Sequence, residues 1–132
     1  MISCDELMPL ILQRFPGFEG RWRKHLESAK GNDGGFCDSM VEFGHYITEL
    51  IVAGNSDELK RFAATVEELI VSGDRDVRYA ATIGLLEDLK GMQQSEEKWE
   101  YLVSFLQPKA LEFCKELAAF RSTPLPGKIQ ST

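Results

Sequence analysis

The sequence is poor in the groups that most often carry chemistry. Its 132 residues hold two histidines and three cysteines, Cys4, Cys37 and Cys114, with no Cys-x-x-Cys pair. An odd, widely spaced set of this kind indicates neither a zinc ribbon nor a disulfide framework. A reducing cytoplasm is the expected compartment. No apolar run approaches the roughly 18 residues that a membrane helix needs. The first twelve residues lack a basic start and carry Asp5 and Glu6, unlike a secretory leader. The Gly-rich stretch Gly31-Asn32-Asp33-Gly34-Gly35 lacks the Lys and Ser/Thr of a phosphate-binding loop, so it reads as a plain loop. No segment shows the clean alternation of a strand.

Positive charge is also missing where it would matter for nucleic acid. From Gly31 to Leu59 there are six acids, Asp33, Asp38, Glu42, Glu49, Asp57 and Glu58, and no Lys or Arg. The net charge is −6. A nucleic-acid binder needs a basic footprint to displace counterions. This balance instead suits a basic protein partner. The preceding stretch, Arg14 to Lys30, has five basic residues against two acids, so charge is segregated along the chain.

What is present is helical periodicity. Leu7, Leu10 and Ile11 mark a helix over residues 3–14, with Ser3 and Glu6 at capping-box spacing. Pro9 either kinks it or opens a later start near Met8. Phe18, Trp22, Leu26 and Ala29 mark residues 18–30, and Met40, Phe43, Ile47, Leu50 and Ile51 mark residues 38–54. Ser39 and Glu42 stand at capping-box spacing there.

The organising stretch is residues 56–90. Its first helix is capped at Asn55 or Ser56 and carries Leu59, Phe62, Ala63, Val66, Leu69 and Ile70 on one face. Gly73 is expected to end it in the left-handed conformation, and Asp74 to cap the next. That second helix, 75–90, has Val77, Tyr79, Ala80, Ala81, Ile83, Leu85, Leu86 and Leu89 on more than one face, the composition of a helix surrounded by protein.

Gly91 to Gln94 reads as a loop. Ser95 caps a helix with Trp99, Leu102, Val103 and Leu106 inward, and Pro108 starts the last helix. The tail from residue 123 has no periodicity. The expectation is an all-α, single-domain antiparallel bundle of about seven helices over residues 1–122, with a loose tail over 123–132.

Candidate sites are few. Asp38, Glu42, His45 and Glu49 recur at steps of four, three and four, so they share one helical stripe. With Asp57 and Glu58 they are the expected partner-binding residues, toward a cognate basic protein. A metal site and a plain solvated face are the competing readings. Glu87 is a carboxylate beside core positions, expected to be paired rather than catalytic. Cys37 and His25 read as an inert thiol and a surface residue. Trp99 reads as core; Trp22, flanked by Arg21, Arg23 and Lys24, reads as partly exposed. No catalytic residue, cofactor or metal is assigned.

Asp74-Arg75-Asp76-Val77-Arg78-Tyr79-Ala80-Ala81, after a helix and a turn, resembles the second helix of a HEAT-type repeat. A broader resemblance rests on Arg14-Phe15-Pro16, Asp57-Glu58-Leu59-Lys60-Arg61-Phe62, Val66 to Asp74 followed by Val77, Gly84-Leu85-Leu86-Glu87-Asp88-Leu89, and Leu106-Gln107-Pro108. Over about Phe15 to Arg121 these residues resemble short bacterial helical proteins that look like immunity proteins of toxin–immunity systems. The resemblance implies a non-enzymatic protein that binds and neutralises a cognate toxin. A HEAT-like scaffold, and a small enzyme using Glu87 or His45, are the alternative expectations.

Overall fold

A computed structural model describes residues 1–28 and 40–122. The elements are α1 (Cys4–Arg14), a 3-10 turn (Pro16–Phe18), α2 (Glu19–Ser28), α3 (Met40–Ala53), α4 (Ser56–Ser72), α5 (Arg75–Ala81), a π-helical segment (Thr82–Glu87), α6 (Asp88–Met92), α7 (Glu96–Val103) and α8 (Pro108–Ser122). Together α5, the π segment and α6 make one continuous central helix. Counted that way, the described residues form seven helices, an all-α bundle as expected. Asp38, Ser39, Cys37, the Gly31–Gly35 loop and the tail from residue 123 lie outside the described residues.

The helix starts follow the sequence. Glu6 accepts from the Ser3 N–H at 2.8 Å, so α1 begins at Cys4 and Pro9 lies inside it. Asn55 Oδ1 accepts from Glu58 N–H at 3.3 Å, Asp74 Oδ1 from Val77 N–H at 2.9 Å, and Ser95 Oγ from Lys98 N–H at 3.2 Å. Each such cap stabilises by about 1 kcal/mol.

α3 and α4 pack against the central helix, α8 lies against α4 and the π segment, and α2 covers α3. The core is continuous. Phe43 stands at its centre, with Phe15 and Phe18 ring centroids each 5.2 Å away in edge contact and Phe62 at 6.0 Å. Burying each such side chain contributes about 1.5–3 kcal/mol, against roughly 0–1 for an exposed ion pair. Packing, not surface charge, therefore holds the bundle.

Several expectations are corrected. Gly73 is extended, φ −77° and ψ 154°, and among the described residues the positive φ belongs to Gly54 at 67°. Gly73 is required for space: an added Cβ would stand 2.3 Å from Leu69 O and 2.5 Å from Val77 Cγ1. The reason is that Ile2 pairs there, donating to Ser72 O and accepting from Asp74 N–H, both at 2.8 Å, as an isolated parallel bridge. Tyr79 is 64% exposed, because Val77, Ala80 and Ala81 already fill the inner face of α5. The central helix runs to Met92, so Gly91 and Met92 are helical rather than loop. Phe18 belongs to the 3-10 turn, α2 starting one residue later. Residues 104 and 105 follow α7 as a turn, and Leu106 lies beyond it outside any helix. Cys4 is disulfide-bonded, against the expectation of a chain without disulfides; Cys114 is free and buried.

Candidate functional site

α2 and α3 lie side by side, which sets the basic segment against the acidic one. Glu42 and Glu49 are two turns apart on α3, about 10.5 Å along the axis. Arg21 on α2 reaches both: Glu42 at 3.6 Å and, more closely, Glu49 Oε2. Glu42 also faces His25, whose Nδ1 is 3.9 Å from Oε2. The His25 ring stacks on Trp22, 5.2 Å between centroids at 25°. His25 is thus a half-buried member of the network rather than a plain surface residue.

Trp22 is 5% exposed, so it is core and not the partly exposed residue its basic neighbours suggested. It packs on Phe18, centroids 6.1 Å apart, while Arg23 pairs outward with Glu19 at 3.0 Å. Trp99 is buried, as its stripe implies.

Glu58 sits on the adjoining corner. It pairs with Arg61 at 2.7 Å. Tyr46 joins the two halves of the site, and sequence reasoning passed it over. Its ring packs on Phe18 at 5.5 Å and Phe43 at 6.2 Å. Burial pushes its phenol above 10.0, with Glu58 and Glu49 adding to the rise and Arg61 opposing it. Its position four after Glu42 and three before Glu49 was the available signal.

The expected residues therefore divide. Glu42, Glu49 and Glu58 are brought together with arginines. His45 and Asp57 are exposed and make no ion pair among the described residues. Asp38 lies outside them. Along α3, Val41, His45 and Val52 fall within about 40° of one another on the helical wheel. Val52 is 65% exposed, and the Glu49 side chain beside it 63%. The result is a mixed exposed strip, two valines about 16.5 Å apart along the axis with His45 between them, beside the carboxylates that Arg21 pairs.

On the other side of Arg21 an open groove of about 630 Å³ is lined by Gly20, Arg21, Lys24, His25, Ser28 and Glu42. Elsewhere, Glu87 is half-buried in the π segment. Burial raises the Cys114 thiol from 9.0 to about 11, with Lys90 opposing. Among the described residues, no three of His, Cys, Asp and Glu come together as a metal-binding group. No described helix is long and apolar enough to cross a membrane.

A family model described as a domain of unknown function (DUF7674) matches residues 8–122. No curated protein and no solved structure matches the chain.

Proposed function

We propose that this chain, which belongs to the DUF7674 family, is a non-enzymatic immunity-like protein that binds a basic cognate toxin and neutralises it by covering its active surface. One observation carries the reading: Arg21 holds Glu42 and Glu49 in place along the flank of α3 beside α2. Carboxylates already ordered by a neighbour lose less rotamer freedom when a partner arrives, which favours binding. Their sign attracts a cationic surface and speeds encounter. The exposed Val41 and Val52 add apolar area beside the charged residues.

The test is co-expression with the toxin encoded beside this chain. Growth is expected with the native sequence and not with Glu42→Lys/Glu49→Lys. Growth with that variant, at equal folded yield, places the interface elsewhere. Rescue that fails instead in His45→Ala or Glu87→Ala, with the complex still formed, favours the enzyme alternative.

A second reading, a HEAT-like scaffold, is supported by the α4–α5 pair. Asp74 caps α5, Val77, Ala80 and Ala81 are buried, and Tyr79 is left on the outside. That reading requires two partners bound at once, one of which Tyr79→Ala releases while the other stays.

A further inference from the structure

The groove beside Arg21 carries two cations, Arg21 and Lys24, and one carboxylate, Glu42. Arg21, Lys24, His25 and Ser28 stand at i, i+3, i+4 and i+7 of α2, so they share one helical face. Glu42 forms the opposite wall. Arg21 is committed to Glu42 and Glu49. Lys24 is exposed and has no ion pair among the described residues. The His25 ring is held flat against Trp22 with its Nδ1 edge toward Glu42. Its Nε2, on the far edge, has no hydrogen-bond partner among the described residues. The Ser28 hydroxyl is one turn on.

We infer that this groove is a binding site for a phosphate monoester, with Lys24, His25 and Ser28 as its donors. The chemistry follows from the donor set. An ammonium, an imidazole N–H and a hydroxyl line the groove together from one face of α2. A tetrahedral phosphate presents three oxygens to such a set, whereas a planar carboxylate presents two. Arg21 adds positive potential without leaving its carboxylates. Glu42 keeps the site from binding anions indiscriminately, because a ligand must offset its repulsion through directed hydrogen bonds. The groove's volume falls in the range of small-ligand sites. A free phosphate ester and a phosphorylated side chain of another protein present the same group, and the site's chemistry is the same for both. This inference does not depend on how the α3 strip is used.

The experiment is an NMR titration of the full chain, following backbone amides, with inorganic phosphate, with acetate and with a phosphoserine peptide. Saturable shifts centred on Lys24, His25 and Ser28 are expected with phosphate and not with acetate. Lys24→Ala is expected to weaken phosphate binding about tenfold, the loss of one charge-assisted hydrogen bond. His25→Gln, which retains a donor, should weaken it less than His25→Ala. Tighter binding of the peptide assigns a phosphorylated protein as the source, and equal binding assigns a small ester. Shifts that do not saturate, equal response to acetate, or affinity unchanged in both Lys24→Ala and His25→Ala would overturn the assignment.

Discussion

Glu67, on α4, accepts from the backbone N–H of Ala110 at 3.0 Å and of Lys109 at 2.9 Å. These are two of the N–H groups at the start of α8 that have no partner within that helix. A carboxylate there satisfies both and meets the positive end of the helix dipole. A side chain that helical periodicity places off the core face of α4 thus fixes where the last helix docks.

Glu67→Ala is expected to destabilise the protein by about 1–2 kcal/mol, as for loss of a helix cap. Glu67→Gln should lose less, since its amide oxygen still accepts. Urea unfolding of the three proteins checks this ordering. Equal midpoints for all three would show that water replaces the carboxylate at no cost.

Gly73 and Gly20 should respond to alanine in opposite directions. At Gly73 the new methyl meets Leu69 O and Val77 Cγ1, in a backbone pinned by Ile2. Overpacking of this kind costs about 1–3 kcal/mol. At Gly20, inside α2, nothing lies within 4 Å. Gly20→Ala should therefore stabilise by about 0.5–1 kcal/mol through helix propensity. Thermal melts of both variants read the sign directly.

Cys114 sets a limit at high pH. Its thiol is raised in the folded state from 9.0 to about 11 by burial, so the folded protein holds that proton more tightly than the unfolded chain. Stability from this group is complete below pH 9 and is lost as pH climbs through 11. Tyr46, raised from 10.0, adds a fall of the same sign beginning at higher pH. A denaturation series between about pH 8 and 11 should show the decline, and Cys114→Ser should flatten its first part. At neutral pH a thiol reagent should modify Cys114 only on unfolding.

Reversing Glu42 and Glu49 to Lys separates binding from folding. Arg21 is 31% exposed and its partners Glu42 and Glu49 26% and 63%, so losing the two pairs and gaining like charge there should cost no more than about 1–2 kcal/mol. Association with a basic partner should slow by about tenfold or more at low salt, and its dependence on salt should flatten. Stopped-flow rates at two ionic strengths check both effects. A large drop in melting temperature would instead make Arg21 a structural clasp.

Much of the bundle could be read from the chain because its local signals agree. Asn55, Asp74 and Ser95 cap the helices they precede, and the apolar stripe of α4 is buried at Leu59, Phe62, Ala63, Val66 and Leu69. What stayed hidden depends on neighbours distant in sequence. Periodicity cannot show that Ile2 pairs beside Gly73, that Glu67 caps α8, or that Arg21 engages the acidic stripe. Tyr79 is exposed for a related reason: hydrophobic composition counts faces, but small Ala80 and Ala81 suffice to fill the inner one. Of the expected partner-binding residues the stripe itself was legible; the arginines that hold it were not.

The π segment, Thr82–Glu87, has a consequence for how the chain tolerates changes in length. A turn closed by i→i+5 bonds accommodates one more residue than an α-turn over the same span. It works as a slack loop in a taut rope: Val77 and Ala81 before it, Leu85 and Leu86 within it and Leu89 after it all reach the interior. Taking one residue out of that slack would draw the helix straight, whereas the same deletion in α4 would swing half its core residues toward water. Natural variation in length within the central helix should therefore collect at this one place.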